Sequence, residues 1–352
     1  MPTIAAEKLQ TIAKRLLEGA GVSPDEAAIV ARHSIGANLA GHDSHGIISI
    51  PTYIQRMKDG HIVPGAPFEI ERESATTTVI NGNWGLGYVV SERAMALTIE
   101  KARTQNVAAT TIYQQSHVGR VADYTMMAAK EGFIGLMTCD SGRTKKNVVP
   151  FGGREKRLGT NPISIAMPSN LKGPFYIDIS TAAAAAGKIN VAISRGADVP
   201  LGWVVDKDGN PTNDPNQLKQ GGALLPLGGS EGYKGYGLSA MVEILSALLP
   251  GLGFGVNPDG PHNDGSFMAA FKVDAFRDLE TFKREVTEFA EYLTSTPPAK
   301  GYERVYYPGE IEHVRTQKAL KDGIFVEDKT WDKLKGLAAD YDMAEELGMG
   351  IA

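Results

Sequence analysis

Seven histidines are spread over 352 residues, and two of them fall within one hexapeptide, Gly41-His42-Asp43-Ser44-His45-Gly46. Two imidazoles, a carboxylate and a hydroxyl in so short a span are a dense set of proton-handling groups, and they lie between two stretches of helical periodicity. A second Ser-His step, Ser116-His117-Val118-Gly119, follows the apolar run Val107 to Tyr113. Each step sits beside glycine at a junction between elements, where side chains can converge without being buried by their own element. The chemistry expected is proton transfer by histidine, in one site assembled from distant segments.

Other chemistries fit less well. His42 and His45 have i,i+3 spacing, but no His-Glu-x-x-His and no third ligand accompany them, so no metal is expected. Ser44 and Ser116 lie outside any Gly-x-Ser-x-Gly elbow, which argues against a serine hydrolase. Capping of helix ends is the structural alternative for each histidine. Forty glycines are many, yet Gly85-Leu86-Gly87, Gly235-Tyr236-Gly237 and Gly251-Leu252-Gly253 all lack the third glycine of a dinucleotide fingerprint, so a Rossmann domain is disfavoured. The loop Gly228 to Gly235 presents Lys234 just ahead of a helix expected over Tyr236 to Leu249. It reads either as a flexible turn or as an anion site built from one ammonium and free helix N–H groups.

The elements that must position these groups follow from pattern. Ser23-Pro24-Asp25-Glu26 is a helix start, with serine as cap, proline in the first helical position and Glu26 three residues after the cap. The helix it opens runs through Ala27, Val30, Ala31, Ile35 and Leu39 and delivers its end to Gly41. A further helix is expected after Pro51, stopping at Gly60. From Phe68 the pattern changes to short apolar runs: Ala75 to Ile80, Val107 to Tyr113, Phe133 to Thr138, Ile163 to Met167, Phe175 to Ile179 and Phe267 to Val273. These alternate with helical stretches at Ser91 to Gln105, Val121 to Lys130 and Tyr236 to Leu249, which implies an α/β domain. After Asp278 the chain returns to helix, through Thr281 to Leu293, Glu310 to Lys321 and Lys329 to Leu347. The expected division is therefore a helical domain from residues 1–75 and 300–352, enclosing an α/β domain over 76–299.

Composition bounds the class. With 42% hydrophobic and 22% charged residues and a formal charge of −5, the chain reads as globular and gives no electrostatic footprint for nucleic acid. Neither a secretory leader nor a membrane span is expected, and cytoplasmic location follows. The densest basic stretch, Lys145-Lys146 with Arg143 and Arg154 near it, reads as a solvated loop. A single cysteine, Cys139, rules out an internal disulfide and fits a reducing compartment; ending an apolar run, it is expected at a strand end in the core.

Several motifs occur in order: Gly41 to Gly46 with Ile50-Pro51-Thr52-Tyr53, Ser116-His117-Val118-Gly119-Arg120, Gly159-Thr160-Asn161-Pro162, Asp178-Ile179-Ser180-Thr181 with Gly187-Lys188, Gly232-Tyr233-Lys234-Gly235-Tyr236-Gly237, and Tyr307-Pro308-Gly309-Glu310. Together they resemble the malate/L-lactate dehydrogenase family of NAD(P)-dependent oxidoreductases, over nearly the whole chain. The resemblance implies a non-Rossmann NAD(P)-binding α/β fold of the sulfolactate dehydrogenase-like type, with a mixed-sheet domain inserted in a helical domain built from both chain ends. It implies a homodimer, NAD or NADP as cofactor, and hydride transfer between a 2-hydroxy acid and a 2-oxo acid. By the same resemblance His117 is the acid/base, with His45 and Ser44 as the alternative. Cofactor contacts would come from His45, Gly119, Arg120, Val121, Ser141, Tyr176, Ile177, Asp178, Ile179, Ser180, Tyr233, Lys234, Tyr307, Pro308, Gly309 and Glu310, with Asp140 a weaker member.

One departure from that pattern concerns the substrate. Many relatives carry an arginine suited to a carboxylate where this chain has Ser49; either Arg120, Arg143 or Lys145 replaces it, or the substrate is anchored differently. An imine reductase acting on cyclic imino acids and a dinucleotide-binding protein without catalysis remain the competing readings.

Overall fold

The structure, a computed structural model, describes residues 2–140, 142–143, 146–257 and 262–349. The chain opens with β1 (Thr3–Ile4), α1 (Ala6–Gly19), α2 (Pro24–Leu39) and α3 (Ile50–Lys58). Ser23 caps α2, its Oγ accepting from the Glu26 N–H at 3.4 Å. Glu26 does not close a capping box. Its carboxylate instead accepts from the Gly65 N–H at 2.9 Å, fastening α2 to the segment after α3.

The middle of the chain supplies β2 (Glu69–Glu73), β3 (Thr77–Gly85), α4 (Gly87–Gln105), β4 (Val107–Gln115), α5 (Ala122–Lys130), β5 (Phe133–Cys139), β6 (Ile163–Met167) and β7 (Phe175–Ile179). A small lobe follows, made of α6 (Ala186–Arg195) and three two-residue strands, β8 (Val204–Val205), β9 (Pro211–Thr212) and β10 (Ala223–Leu224). Then come α7 (Gly232–Glu243), which continues as a π-helical turn over Ile244–Leu248, and β11 (Asp264–Lys272). The chain closes with α8 (Leu279–Thr294), α9 (Glu310–Asp322), β12 (Ile324–Phe325) and α10 (Asp328–Asp340).

The main sheet has seven strands in the order β2-β3-β4-β11-β5-β6-β7. Only β3 and β4 pair in parallel, across the α4 crossover; the other pairs are antiparallel. This mixed topology is not the doubly wound parallel sheet of a Rossmann domain. Placing β11 beside β4 sets Asp264 opposite Gln115, next to the Ser116-His117 step.

Two large cores dominate the packing, with a smaller one around Val148, Ile189 and Val204 in the small lobe. One joins both chain ends, with Leu9, Leu16, Ile35 and Ile54 packing with Ile324, Leu334 and Leu347, and it also takes Leu86, Tyr88 and Val89 from the start of α4. The other lies against the sheet, around Ile80, Met95, Ile112, Tyr124, Phe133 and Met268. The sheet begins at Glu69, before residue 76, because β2 pairs with β3.

Three local expectations change. The helix expected from Tyr236 starts at Gly232, so Lys234 lies in its first turn rather than ahead of it. The last helix stops at Asp340 rather than running to Leu347. Lys146 is buried, not solvated: its Nζ lies 2.8 Å from Glu243, so an ion pair offsets its lost hydration. Ser141 and Lys145 lie outside the described residues.

Candidate active site

The turn after α2 is organised by Asn38. Its Nδ2 donates to Asp43 at 2.7 Å and its Oδ1 accepts from the Ile47 N–H at 2.8 Å, closing a short 3-10 turn over Asp43–His45. The other histidine arrives from the end of β4. There Ser116 Oγ accepts from the Gly87 N–H at 2.9 Å, and the Val118 N–H donates to Asp264 at 3.2 Å. Gly119 turns the chain away with φ +72°, and a Cβ there would stand 2.1 Å from the Tyr88 ring; both facts require glycine.

These two segments bring the predicted histidines together. The His45 and His117 rings stack with centroids 5.2 Å apart and 20° between planes. Four groups not foreseen from sequence complete the cluster. Tyr53 Oη lies 2.6 Å from His117 Nδ1 and 3.3 Å from Tyr88 Oη, and Tyr88 in turn donates to the His45 carbonyl at 3.0 Å. On another side, His262 lies 6.2 Å from the His117 ring and pairs with Asp264 at 2.6 Å. Ser44 is exposed, and its carbonyl accepts from Ser49 Oγ at 3.1 Å.

The electrostatics favour neutral rings. Enclosure by the surrounding protein, followed by the neighbouring His45, pushes His117 down to about 3. Enclosure and then His42 push His45 down to about 4. Burial pushes Tyr53 up to about 12, so it stays a phenol. His45 Nδ1 is buried with no hydrogen-bond partner among the described residues, a polar atom that a bound ligand would satisfy.

A second set of predicted residues gathers at the edge of the sheet. The Arg120 guanidinium sits 5.9 Å from the Tyr176 ring, and the Asp178 carboxylate accepts from the Ala122 N–H at 2.8 Å. Burial pushes Asp178 up to about 6 despite that bond. Tyr176 N–H donates to the Pro308 carbonyl at 3.2 Å, and Gly309, at φ +91°, passes so close that a Cβ would stand 2.5 Å from the Pro174 carbonyl. Glu310 reaches back to the Tyr307 N–H at 3.1 Å and fixes the entry to α9. A cavity of about 420 Å³ opens here, walled by Arg120, Tyr176, Pro174, Glu312 and His313. Val121 is buried, and Ile177 is exposed on β7 with Ile179 and Ser180 beside it. Tyr233 and Lys234 are not brought to either histidine in this chain. Lys234 pairs with Glu231 at 3.1 Å on the surface and lies over the Tyr233 ring.

Comparison with known proteins agrees with this geometry. The family model described as malate/L-lactate dehydrogenase matches residues 4–335. The chain belongs to the malate/L-lactate dehydrogenase family. It is 37% identical over 348 residues to the malate/(S)-sulfolactate dehydrogenase of Methanothermus fervidus, covering 97% of this chain and 98% of that one. To the NAD(+)-dependent ureidoglycolate dehydrogenase of Escherichia coli it is 32% identical over 338 residues, covering 94% of each. It superposes on the malate dehydrogenase of Entamoeba histolytica with a TM-score of 0.92 at 32% identity, over 97% of this chain and 98% of that one.

This member of the family is thus an NAD(P)-dependent 2-hydroxyacid dehydrogenase. Its residues fit a dinucleotide. The unpartnered His45 Nδ1, the cavity beside Arg120 and Tyr176, and the close backbone approach at Gly309 are features that a ligand spanning from the histidine pair to β7 would use. Sequence reading missed Tyr53, Tyr88, His262 and Asp264 because their relation to His117 is long-range; Asp264 is 146 residues from Val118. Tyr53 carried one signal, since it lies in the motif Ile50-Pro51-Thr52-Tyr53.

Proposed function

We propose that His117 is the acid/base that moves the proton of the substrate C2 hydroxyl. The observation that carries this reading is the chain from His117 Nδ1 through Tyr53 and Tyr88 to the His45 carbonyl. A carbonyl can only accept, so Tyr88 donates to it, Tyr53 donates to Tyr88, and His117 Nδ1–H donates to Tyr53. That order leaves the Nε2 lone pair of a neutral His117 free to take a proton. Tyr53 is a positioning residue that fixes the tautomer. His45, stacked on His117, is the alternative acid/base, with Ser44 beside it. A bound nicotinamide would supply the acceptor for the hydride leaving C2, or its donor in the reverse direction. Gly119, Arg120, Val121, Tyr176 to Ser180 and Tyr307 to Glu310 would hold the cofactor between the helical chain ends and the sheet domain.

The substrate we infer is a 2-hydroxy acid and its 2-oxo acid product. Loss of NADH or NADPH absorbance with a panel of 2-oxo acids and cyclic imines tests it. Turnover of 2-oxo acids is expected; turnover of cyclic imines alone would make the protein an imine reductase, and binding without any turnover would make it a dinucleotide-binding protein.

We also propose that the working form is a homodimer in the cytoplasm. The single buried thiol of Cys139 supports a reducing compartment. The dimer reading is supported by α7 and the turn after it, which expose Met241, Ile244, Leu248 and Leu249 along one run. Tyr233 and Lys234 stand on the same helix, and a partner subunit there would give Lys234 a site to enter. Sedimentation equilibrium with activity over a dilution series checks this: activity should fall as dimer dissociates, and a fully active monomer would end the shared-site reading.

A further inference from the structure

A 2-hydroxy acid presents a carboxylate next to the carbon that exchanges hydride, so the site needs a cation whose charge is not already taken. Ser49 is neutral, and its hydroxyl donates to the Ser44 carbonyl. Arg120 is spent on Asp123, with Nε at 2.8 Å and Nη2 at 2.5 Å from one carboxylate oxygen. Arg143 donates to the carbonyls of Leu252, at 2.6 Å, and Phe254, at 3.3 Å. Lys146 is buried against Glu243.

Arg56 differs from all of these. It stands one turn after Tyr53 on α3, on nearly the same face of that helix, and Tyr53 is in hydrogen-bond contact with His117. Its side chain is half-buried, and among the described residues its guanidinium has no hydrogen-bonded or ion-paired partner. Its positive charge bears, as a smaller contribution, on Tyr53, His117 and His262, three rings of the cluster around His117. Among the described residues no carboxylate pairs with this guanidinium, which is half-buried and so keeps solvent access, and its charge is felt at the histidine cluster.

We propose that Arg56 binds the carboxylate of the substrate, placing C2 against His117. The proposal rests on the 2-hydroxyacid reading of the site. A planar guanidinium can grip a carboxylate by two parallel N–H bonds, which fixes orientation as well as position. Binding an anion there also removes an unfavourable positive neighbour from His117, so the ring is easier to protonate in the ternary complex than in the empty site.

The test compares pyruvate and oxaloacetate with methyl pyruvate, in which the carboxylate adjacent to the carbonyl is esterified. In Arg56→Gln, the KM for the 2-oxo acids should rise by about 10- to 100-fold, the range expected for losing a charged hydrogen-bond pair. kcat should change less, and kcat/KM for the ester should be nearly unchanged, so that the preference for acid over ester collapses. Arg56→Lys, which keeps charge but loses the fork, should recover part of that preference. NADH affinity, followed by fluorescence titration, should stay within about twofold, corresponding to less than ~0.5 kcal/mol. Equal losses on acid and ester would assign Arg56 a structural role and overturn the proposal, as would an unchanged KM for the acids. Failure of the wild-type enzyme to reduce any 2-oxo acid would instead overturn the substrate reading itself, and this inference with it.

Discussion

Two histidine environments lie within this one chain and have opposite character. His33, on α2, is 5% exposed and has a carboxylate on each ring nitrogen, Asp123 at 3.0 Å and Glu92 at 2.6 Å. Burial alone would lower it, but the bonds to Asp123 and Glu92 outweigh that and raise it. His117 and His45 are more open to solvent, have no carboxylate among the described residues hydrogen-bonded to either ring, and are held well below the ordinary imidazole range. Burial acts on all three; the partners decide the sign. With both nitrogens saturated by anions, His33 is an ionic link joining α2 to α4 and α5. His117 has one nitrogen fixed by a phenol that stays neutral and the other left over, which suits a proton carrier.

The strongest way to break this comparison is to remove each ring. His117→Ala should lower kcat by at least ~10²-fold, the lower end for a general acid or base, with NADH affinity nearly intact. Retention of more than about a tenth of wild-type turnover would move the role to His45. His33→Leu should leave kcat per folded molecule unchanged but destabilise the fold by about 3 kcal/mol, the low end for breaking a buried ion pair, because Asp123 keeps Arg120 and Glu92 keeps Arg32. Urea denaturation measures that loss; a variant as stable as the wild type would show that the two carboxylates do not need the histidine.

The same contrast predicts opposite pH dependences of stability. His33 has a raised folded-state pKa, so its contribution is complete below 6.5 and is lost as pH rises through the folded value. His45 and His117 have depressed folded-state values, about 4 and about 3. Their unfolded forms take up protons that the folded forms refuse, so stability falls as pH drops from 6.5 toward 4. Relative to wild type, His117→Ala should therefore flatten the acid limb of a plot of melting temperature against pH, and His33→Leu the alkaline limb. Parallel curves for all three proteins would contradict the assignment.

How much of this was legible in the sequence depended on the range of the interaction. The helix ending before His42 could be read from Ser23, Pro24 and the spacing of Val30, Ile35 and Leu39, because capping and periodicity are local. The six sheet strands with apolar runs were legible for the same reason. β2, Glu-Ile-Glu-Arg-Glu, was not: it is an exposed edge strand with no buried face to leave a pattern. The start of α7 was hidden by Gly232, Gly235 and Gly237, which lower helix propensity, and packing overrides them: Gly235 is buried, and a Cβ there would stand 2.0 Å from the Leu227 carbonyl. In the site, the convergence of His45 and His117 could be suspected from two similar Ser-His-containing motifs. The partners that give them their chemistry could not, since Tyr53, Tyr88 and Asp264 meet His117 only through the packing of α3, α4 and β11 around it.

The smallest expected effect sharpens the comparison most, because it changes one oxygen. Tyr53→Phe keeps the ring packed beside Tyr88 but leaves His117 Nδ1 without the oxygen that selects its tautomer. kcat for hydroxy acid oxidation should fall by about tenfold, near the upper end of what one hydrogen bond contributes, with KM nearly unchanged. A structural role for Tyr53 would lower stability and affect KM and kcat alike. A tautomer-setting role predicts something further. In the wild type, log kcat/KM for oxo-acid reduction should keep rising as pH falls through 6.5, since the free enzyme's His117 titrates far below that. Without Tyr53 Oη the ring is free to carry its proton on Nε2 as well, which blocks the base in the oxidation direction but leaves the protonated acid intact. The variant should therefore lose more in oxidation than in reduction measured at low pH. Equal losses in both directions would remove Tyr53 from the proton chain.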